Sequence, residues 1–263
     1  MLLLENSLHI KHFNMKFIIQ KIDGEIRHDF AFTLLESIRY QNWLRRTLAD
    51  IVVEYNYTNG EKDSPIYFKS SHKDYVPIGS VEFVKAHLMQ FFGLEPKPIN
   101  IPKELLGQNF TKRFIFNGTE HEIAGEKFVK SNDTIKGFAE FVDDKIDVPE
   151  GNYQISDVIS IDSEWRAFVY RNKLVGLRNY SGEFALFPDV LKIRDMIDAY
   201  KSAPISYTLD IAIQRISDYH KNTVVVEAHD FFGCGLYGFN DAYLPHMLYG
   251  WYREYLRKNN IFL

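Results

Sequence analysis

Strand-like segments gathered in clusters, with a few amphipathic helical patterns between them, predict an α+β fold of several lobes. Three observations carry this prediction. The stretch "GLEPKPINIP" at 93–102 packs three prolines into a short span and reads as an extended connection between two parts of the chain. Four segments show helical periodicity and stand apart from one another in the sequence. Most of the remaining apolar residues after position 150 fall in strand-like runs, which end in "TVVVEAHDFFGCGLYGF" at 223–239.

Before the connection, "KFIIQKIDGEIR" predicts two short strands about an Asp-Gly turn. Asp29 then stands where a helix would be capped, and Leu34, Leu35, Ile38, Leu44 and Leu48 follow as its apolar positions. "DIVVEY" predicts a further strand. In "VPIGSVEFVKAHLMQFF", Ser80 reads as an N-cap and Glu82 as a first-turn acid, with Val81, Val84, Leu88 and Phe91 at helical spacing. Met15 opens a more strand-like beginning than Met1, so residues 1–14 read either as an extension or as an ordered arm.

After the connection, "KRFIF" and "KFVK" predict strands, and "NDTIKGFAEFV" a loop running into a helical or mixed segment. "YQISDVISI" is strand-like. "SEWRAFVYRNKLVGLRNY" predicts a hairpin turning near Asn172. A helix capped by Asp189 should carry Val190, Ile193 and Ile197 inward, "SYTLDIAI" and "TVVVEAH" should be strands, and "YLPHMLYGWYREYL" a closing helix.

The 31 basic against 35 acidic residues leave a net charge of -4, which supplies no electrostatic reason to expect nucleic acid or anionic lipid as a partner. The single cysteine, Cys234, excludes an intrachain disulfide and a cysteine-cluster zinc site, and fits the cytoplasm. No apolar run approaches the roughly 20 residues that a membrane-spanning helix needs. Walker-type, zincin, nucleophile-elbow and kinase signatures are absent from the sequence.

The chemistry concentrates at strand ends. Residues two apart on a strand face the same side, so Glu227 and His229 project together. If the preceding strand pairs antiparallel, Asp210 converges on Glu227, and two close carboxylates need a cation or a shared proton. Magnesium takes one or two carboxylates together with phosphates, whereas imidazole suits softer metals. The plainer reading makes these groups a solvated strand end. Lys127 and Lys130 fall on opposite faces of their strand, with Lys130 the better candidate for a cleft, and Lys136 follows in a polar loop. Arg166 and Arg178, across the predicted hairpin, would suit a developing phosphate charge. Each is, taken alone, an ordinary surface charge.

From about Lys112 to Phe239, the order and spacing of "FVKSNDTIKGF", "QISDVISIDSEWRAFVYRNKLVGLRNYSG", "LDIAI" and "TVVVEAHDFFGCGLYGF" resemble the ATP-grasp superfamily, in particular a clade of short bacterial and phage members. "DYVPIGSVEFV" is similar to that clade's first lobe. The resemblance implies two α+β lobes gripping ATP behind a smaller N-terminal α/β lobe, with divisions at 1–102, 103–155 and 156–263. It implies Lys130 as the central-lobe lysine on adenine and phosphate, and Lys112 or Arg113 as an earlier basic contact. Lys136 joins the nucleotide set, as do Gln154, Ile155 and Asp157 at the hinge, with Asp157 on the ribose. Arg166 and Arg178 would meet phosphate, and Asp210 and Glu227 the metal. His229 stands where the superfamily usually has Asn, which points to His229, Asp230 or a shift from Mg2+ toward Mn2+.

The implied activity is an ATP-dependent ligase that joins a carboxylate to an amine through an acyl phosphate. A phosphotransferase or a nucleotide-binding protein without turnover are the alternatives. The carboxylate and amine partners, whether amino acid, peptide or protein, stay open.

Overall fold

The computed structural model describes residues 15–45, 53–58, 66, 68–143, 146–217, 219–239 and 242–263. Residues 1–14 and Leu48 lie outside them. The architecture is mixed α+β, built on one small parallel sheet and two antiparallel sheets.

The parallel sheet has β1 (Phe17–Ile22) between β2 (Val53–Thr58) and β3 (Val76–Ile78). Helix α1 (Asp29–Arg45) connects β1 to β2, and α2 (Val81–Phe92) follows β3. The Ser80 hydroxyl accepts from Phe83 N at 3.2 Å and starts α2, while Gly93 at φ 65° ends it. The Asp-Gly turn after β1 forms, but only a single bridge from Ile22 to Glu25 follows it where a second strand was expected.

The middle sheet has the order β4 (Ile115–Thr119), β7 (Asn152–Asp157), β5 (Lys127–Ser131), β6 (Ala139–Val142). A four-residue helix α3 (Gln108–Thr111) precedes it. The segment after "NDTIKG" is strand β6 instead of a helical one. Ser131 Oγ accepts from Asp133 N and Thr134 N, and Gly137 N donates back to Thr134 O, so the chain reverses at once. Only a few residues remain before the next turn, too few for a stable helix, and pairing with the open edge of β5 satisfies their backbone. Strand β7 runs unbroken to Asp157, past the expected division at 155.

The third sheet has the order β11 (His220–Asp230), β10 (Ser206–Ser217), β8 (Ser163–Tyr170), β9 (Lys173–Gly182). Strands β8 and β9 turn through Arg171 and Asn172, both at positive φ, as a two-residue hairpin requires. One face carries Trp165, Ala167 and Val169 of β8 and Tyr207, Leu209 and Ile211 of β10. It buries them against Ile193, Met196 and Ile197 of α4 (Val190–Ala199). The opposite face sends Phe168 into a second core shared with α1, α2 and the closing helix α5 (Leu244–Lys258). Among the described residues no helix is long and apolar enough to cross a membrane.

The N-terminal layer contains a titratable group with no access to water. His87 of α2 is fully buried, its Nε2–H donating to the His72 carbonyl at 2.9 Å, with Phe68 and Phe91 packed around the ring. Burial pulls its pKa down to about 4, the His72 carbonyl acting against that pull. The neutral ring is the folded form, so its contribution to stability is complete above the unfolded value of about 6.5 and is lost as pH falls toward 4. We expect unfolding free energy to drop by up to about 3 kcal/mol across that window. In urea titrations at several pH values, His87→Gln should show a flatter dependence than the native chain.

Candidate active site

The site is built on the face of the third sheet that does not meet α4. Asp210 and Glu227 are register partners on β10 and β11, and Asp210 is also opposite Arg166 on β8, which is opposite Arg178 on β9. Four charged residues thus form one row across four strands. A β-bulge between Asp210 and Ile211 gives Val226 no partner. The extra residue switches the alternation of β11, so Val225 and Ala228 both enter the α4 core while Glu227 and His229 share the opposite face.

On that face His229 Nε2 lies 2.6 Å from Glu227 Oε1 and 3.6 Å from Asp210 Oδ2. One ligand atom from each of Asp210, Glu227 and His229 falls within 4.8 Å of the others. Two carboxylates and an imidazole at this separation can hold a divalent ion. Lys130 reaches across from β5 of the middle sheet and pairs with Glu227 Oε2. Burial pulls the Lys130 amine below its ordinary range, Asp210 opposing this and Arg166 reinforcing it.

Two cavities meet at Lys130 and Ala139. One, of about 420 Å3, has Phe128, Phe141, Val158, Ile159 and Ile161 on its apolar walls and Asn100, Arg113, Gln154, Asp157 and Glu227 among its polar ones. The other, of about 320 Å3, lies between the N-terminus of α2, the turn after β5 and the glycine-rich loop after β11. Gly233 is required in that loop. Its φ is +56°, and a Cβ there would come within 2.9 Å of the Val81 side chain.

The predicted residues divide into those brought to the cleft and those placed elsewhere. Phe128 and Lys130 share the cleft face of β5, and Val129 between them is core. Gln154 lines the larger cavity, but its amide is committed to both backbone groups of Ile101, at 3.0 Å each. Asp157 lines it too, held by Lys127 Nζ at 2.9 Å and Phe114 N at 3.1 Å, contacts that lower its carboxyl pKa. Arg113 is buried beside the same cavity and donates to Val225 O at 3.1 Å. Lys136 sits at the rim of the smaller cavity, 3.8 Å from Glu82.

Four more of the named residues are exposed, buried or already paired within the chain. Lys112 is an exposed helix end lining neither cavity. Ile155 is fully buried on the far face of β7, where alternation must put it once Gln154 and Ser156 face the cleft. Arg166 lines the smaller cavity but is already paired. Its Nε and Nη2 bind both oxygens of Asp210 at 2.7 and 2.8 Å, Nη1 donates to Gly235 O at 3.0 Å, and its plane lies over Tyr237. Arg178 donates to its neighbour's carbonyl, Leu177 O, and lines neither cavity. Asp230, weighed as a stand-in ligand, accepts from Trp251 Nε1 at 2.8 Å. The aromatic walls Phe128 and Phe141 and the linker residue Asn100 escaped the sequence reading. Two apolar strand residues and one Asn among prolines carry no pattern that separates them from core and turn.

Burial alone would raise the Asp210 carboxyl, but the Arg166 fork overrides it and holds the pKa down at about 2. This stabilisation is present above the ordinary carboxyl value of about 4 and is lost as pH falls toward 2. Arg166→Met leaves a buried carboxylate unpaired and should cost about 3–5 kcal/mol. Urea unfolding of Arg166→Met, Asp210→Asn and the double variant should show the double losing less than the two singles combined.

The family model of the ATP-grasp domain, R-2-K clade family 2, matches residues 110–245, more than half of the chain. Three solved structures are similar to it. The D-alanine–D-alanine ligase from Bacillus anthracis complexed with ATP has 12% identity and a TM-score of 0.47, over 94% of this chain and 99% of that one. The RimK domain protein ATP-grasp from Sphaerobacter thermophilus has 13% and 0.46, over 89% and 97%. The macrocyclase MdnC bound with precursor peptide MdnA, from Microcystis aeruginosa, has 8% and 0.41, over 89% and 98%. No curated protein sequence matches the chain. With a mixed α+β architecture, a cleft between two antiparallel sheets and a family match over more than half its length, the chain belongs to the ATP-grasp proteins of R-2-K clade family 2.

Proposed function

We propose that the protein is an ATP-dependent ligase that joins a carboxylate to an amine. The observation that carries this reading is the meeting of Lys130 with Asp210, Glu227 and His229 at the junction of two cavities. In this reading residues 1–102 help form the acceptor side, and two lobes divided after Asp157 close on the nucleotide.

The larger cavity would take the nucleoside, its base against Phe128, Phe141 and Ile159 and its ribose beside Asp157. The phosphates would then reach Lys130, and Asp210, Glu227 and His229 would hold a divalent ion on them. The bound ion supplies neutralisation of phosphate charge. The substrate carboxylate, in the smaller cavity, attacks the terminal phosphorus with release of ADP. The amine then attacks the acyl carbon, the bond from that carbon to the phosphate oxygen breaks with its electrons on the departing phosphate, and the amine gives up a proton to solvent. Positioning and fixed positive charge carry such a transfer, so the chain's part is orientation. Lys130 offers a desolvated cation, Arg166 fixes Asp210 as a positioning residue, and the loop at 231–239 closes the wall.

Imidazole among the ligands favours Mn2+ over Mg2+. Both acids are already paired with Arg166 and Lys130, which favours a second reading, a nucleotide-binding protein without turnover.

Calorimetric titration of ATP with Mn2+ and with Mg2+ tests the site. We expect tighter binding with Mn2+, a reversal of that order in His229→Asn, and a roughly ten- to hundredfold loss in Lys130→Ala, the scale of one charge-assisted hydrogen bond. No binding by folded native protein with either ion would refute the assignment. Incubation with a carboxylate panel, ATP and hydroxylamine should yield a hydroxamate, and Glu227→Gln should abolish it while remaining folded. Binding without any hydroxamate or ADP would support the second reading.

A further inference from the structure

The structure assigns a positioning role to Asn100, a residue of the proline-rich connection: it pins the strand carrying Glu227 and His229 to the strand carrying Lys130. Its backbone and side chain act in opposite directions. Ala228 N, between Glu227 and His229, donates to the Asn100 carbonyl at 2.7 Å. Asn100 Nδ2 donates to Ser131 O at 2.9 Å and to Asn132 Oδ1 at 2.7 Å, immediately after Lys130. One residue therefore touches the chain beside both members of the Lys130–Glu227 pair. These members come from different sheets, and among the described residues no strand pairing joins the two.

Each feature of Asn100 suits that task. β11 is the outermost strand of its sheet, so the Ala228 N–H points away from β10 and needs a partner from outside the sheet. Asn100 has φ 53°, a left-handed conformation that Asn adopts more readily than most side chains, and this conformation turns its carbonyl to β11 while its amide faces β5. It is 2% exposed, and the next residue, Ile101, is clamped through both backbone groups by Gln154 of β7. The buried Nδ2 with two fixed partners holds a distance better than a solvated amide, because each lost bond leaves an unsatisfied polar group; Oδ1 is buried without a hydrogen-bond partner. The connection is thus the seam that sets the spacing across the cleft.

Asn100→Gly tests this. Glycine accepts φ 53° without strain and keeps the backbone carbonyl, so only the anchor to Ser131 and Asn132 is removed. Amide hydrogen exchange followed by NMR is the primary readout and needs no ligand. We expect Ala228 to exchange at least about tenfold faster, the scale of one lost buried hydrogen bond, with Leu209 and Ile211 of β10 unchanged. Unchanged exchange at Ala228 would overturn the inference, as would equal acceleration throughout β8 and β10, which indicates general loosening. Asn100→Asp keeps the shape but not the donor and should behave as the glycine variant does. A second readout rests on the nucleotide reading: affinity for ATP with Mn2+ should fall about tenfold in both variants. Should native protein bind no ATP, the functional reading fails while the exchange result still judges Asn100.

Discussion

The pairing of β10 with β11 across the bulge at Val226 is the constraint on which the rest of the site depends. A strand buried on one side has a strict alternation, and "VVVEAH" without a bulge would place Val226 and Ala228 toward the cleft and turn both Glu227 and His229 into the α4 core. The unpaired Val226 shifts that phase by one. Val225 and Ala228 keep the apolar side, and the two polar side chains emerge together beside Asp210. Three more residues then follow from register: Arg166 is opposite Asp210, Arg178 is opposite Arg166, and Thr208 is opposite His229.

Once two acids are brought together on a largely buried face, electrostatics dictates their partners. A buried carboxylate is costly unless paired and hydrogen-bonded. Arg166 answers this for Asp210 with two parallel bonds and ties its third nitrogen to the glycine-rich loop. Lys130 answers it for Glu227 from the facing sheet. The cleft is therefore held together by its own charged groups. A cation entering at Asp210, Glu227 and His229 competes with two charges already in place.

The linker and α3 finish the arrangement at the outer edge of β11. An open edge strand leaves a row of unpaired backbone groups. Arg113 takes the Val225 carbonyl from one side of the bulge and Asn100 takes the Ala228 amide from the other. Both come from chain segments that join the N-terminal layer to the middle sheet. The edge that could have been an aggregation surface is used to sew the two antiparallel sheets together, leaving the cavities on either side of Lys130.

What was legible in the sequence is what local chemistry decides. Ser80 and Asp189 announced their helices because a side-chain oxygen must satisfy the first free amides. Arg171-Asn172 announced its hairpin because two strand runs flank it. The shared face of Glu227 and His229 follows from a period of two. Partners set by long-range register were not legible: nothing near Arg166 tells that its guanidinium is spent on a carboxylate 44 positions away, nor which face of β7, that of Gln154 or that of Ile155, meets the cleft. Asn100 looked like part of a spacer for the same reason. Composition and spacing by themselves determined the class of fold and most of its elements, and brought Asp210, Glu227 and His229 together as one cluster. The tertiary structure alone decided which charges neutralise one another, because that depends on which strands become neighbours, and a pair separated by a sheet carries no trace of its contact in either local sequence.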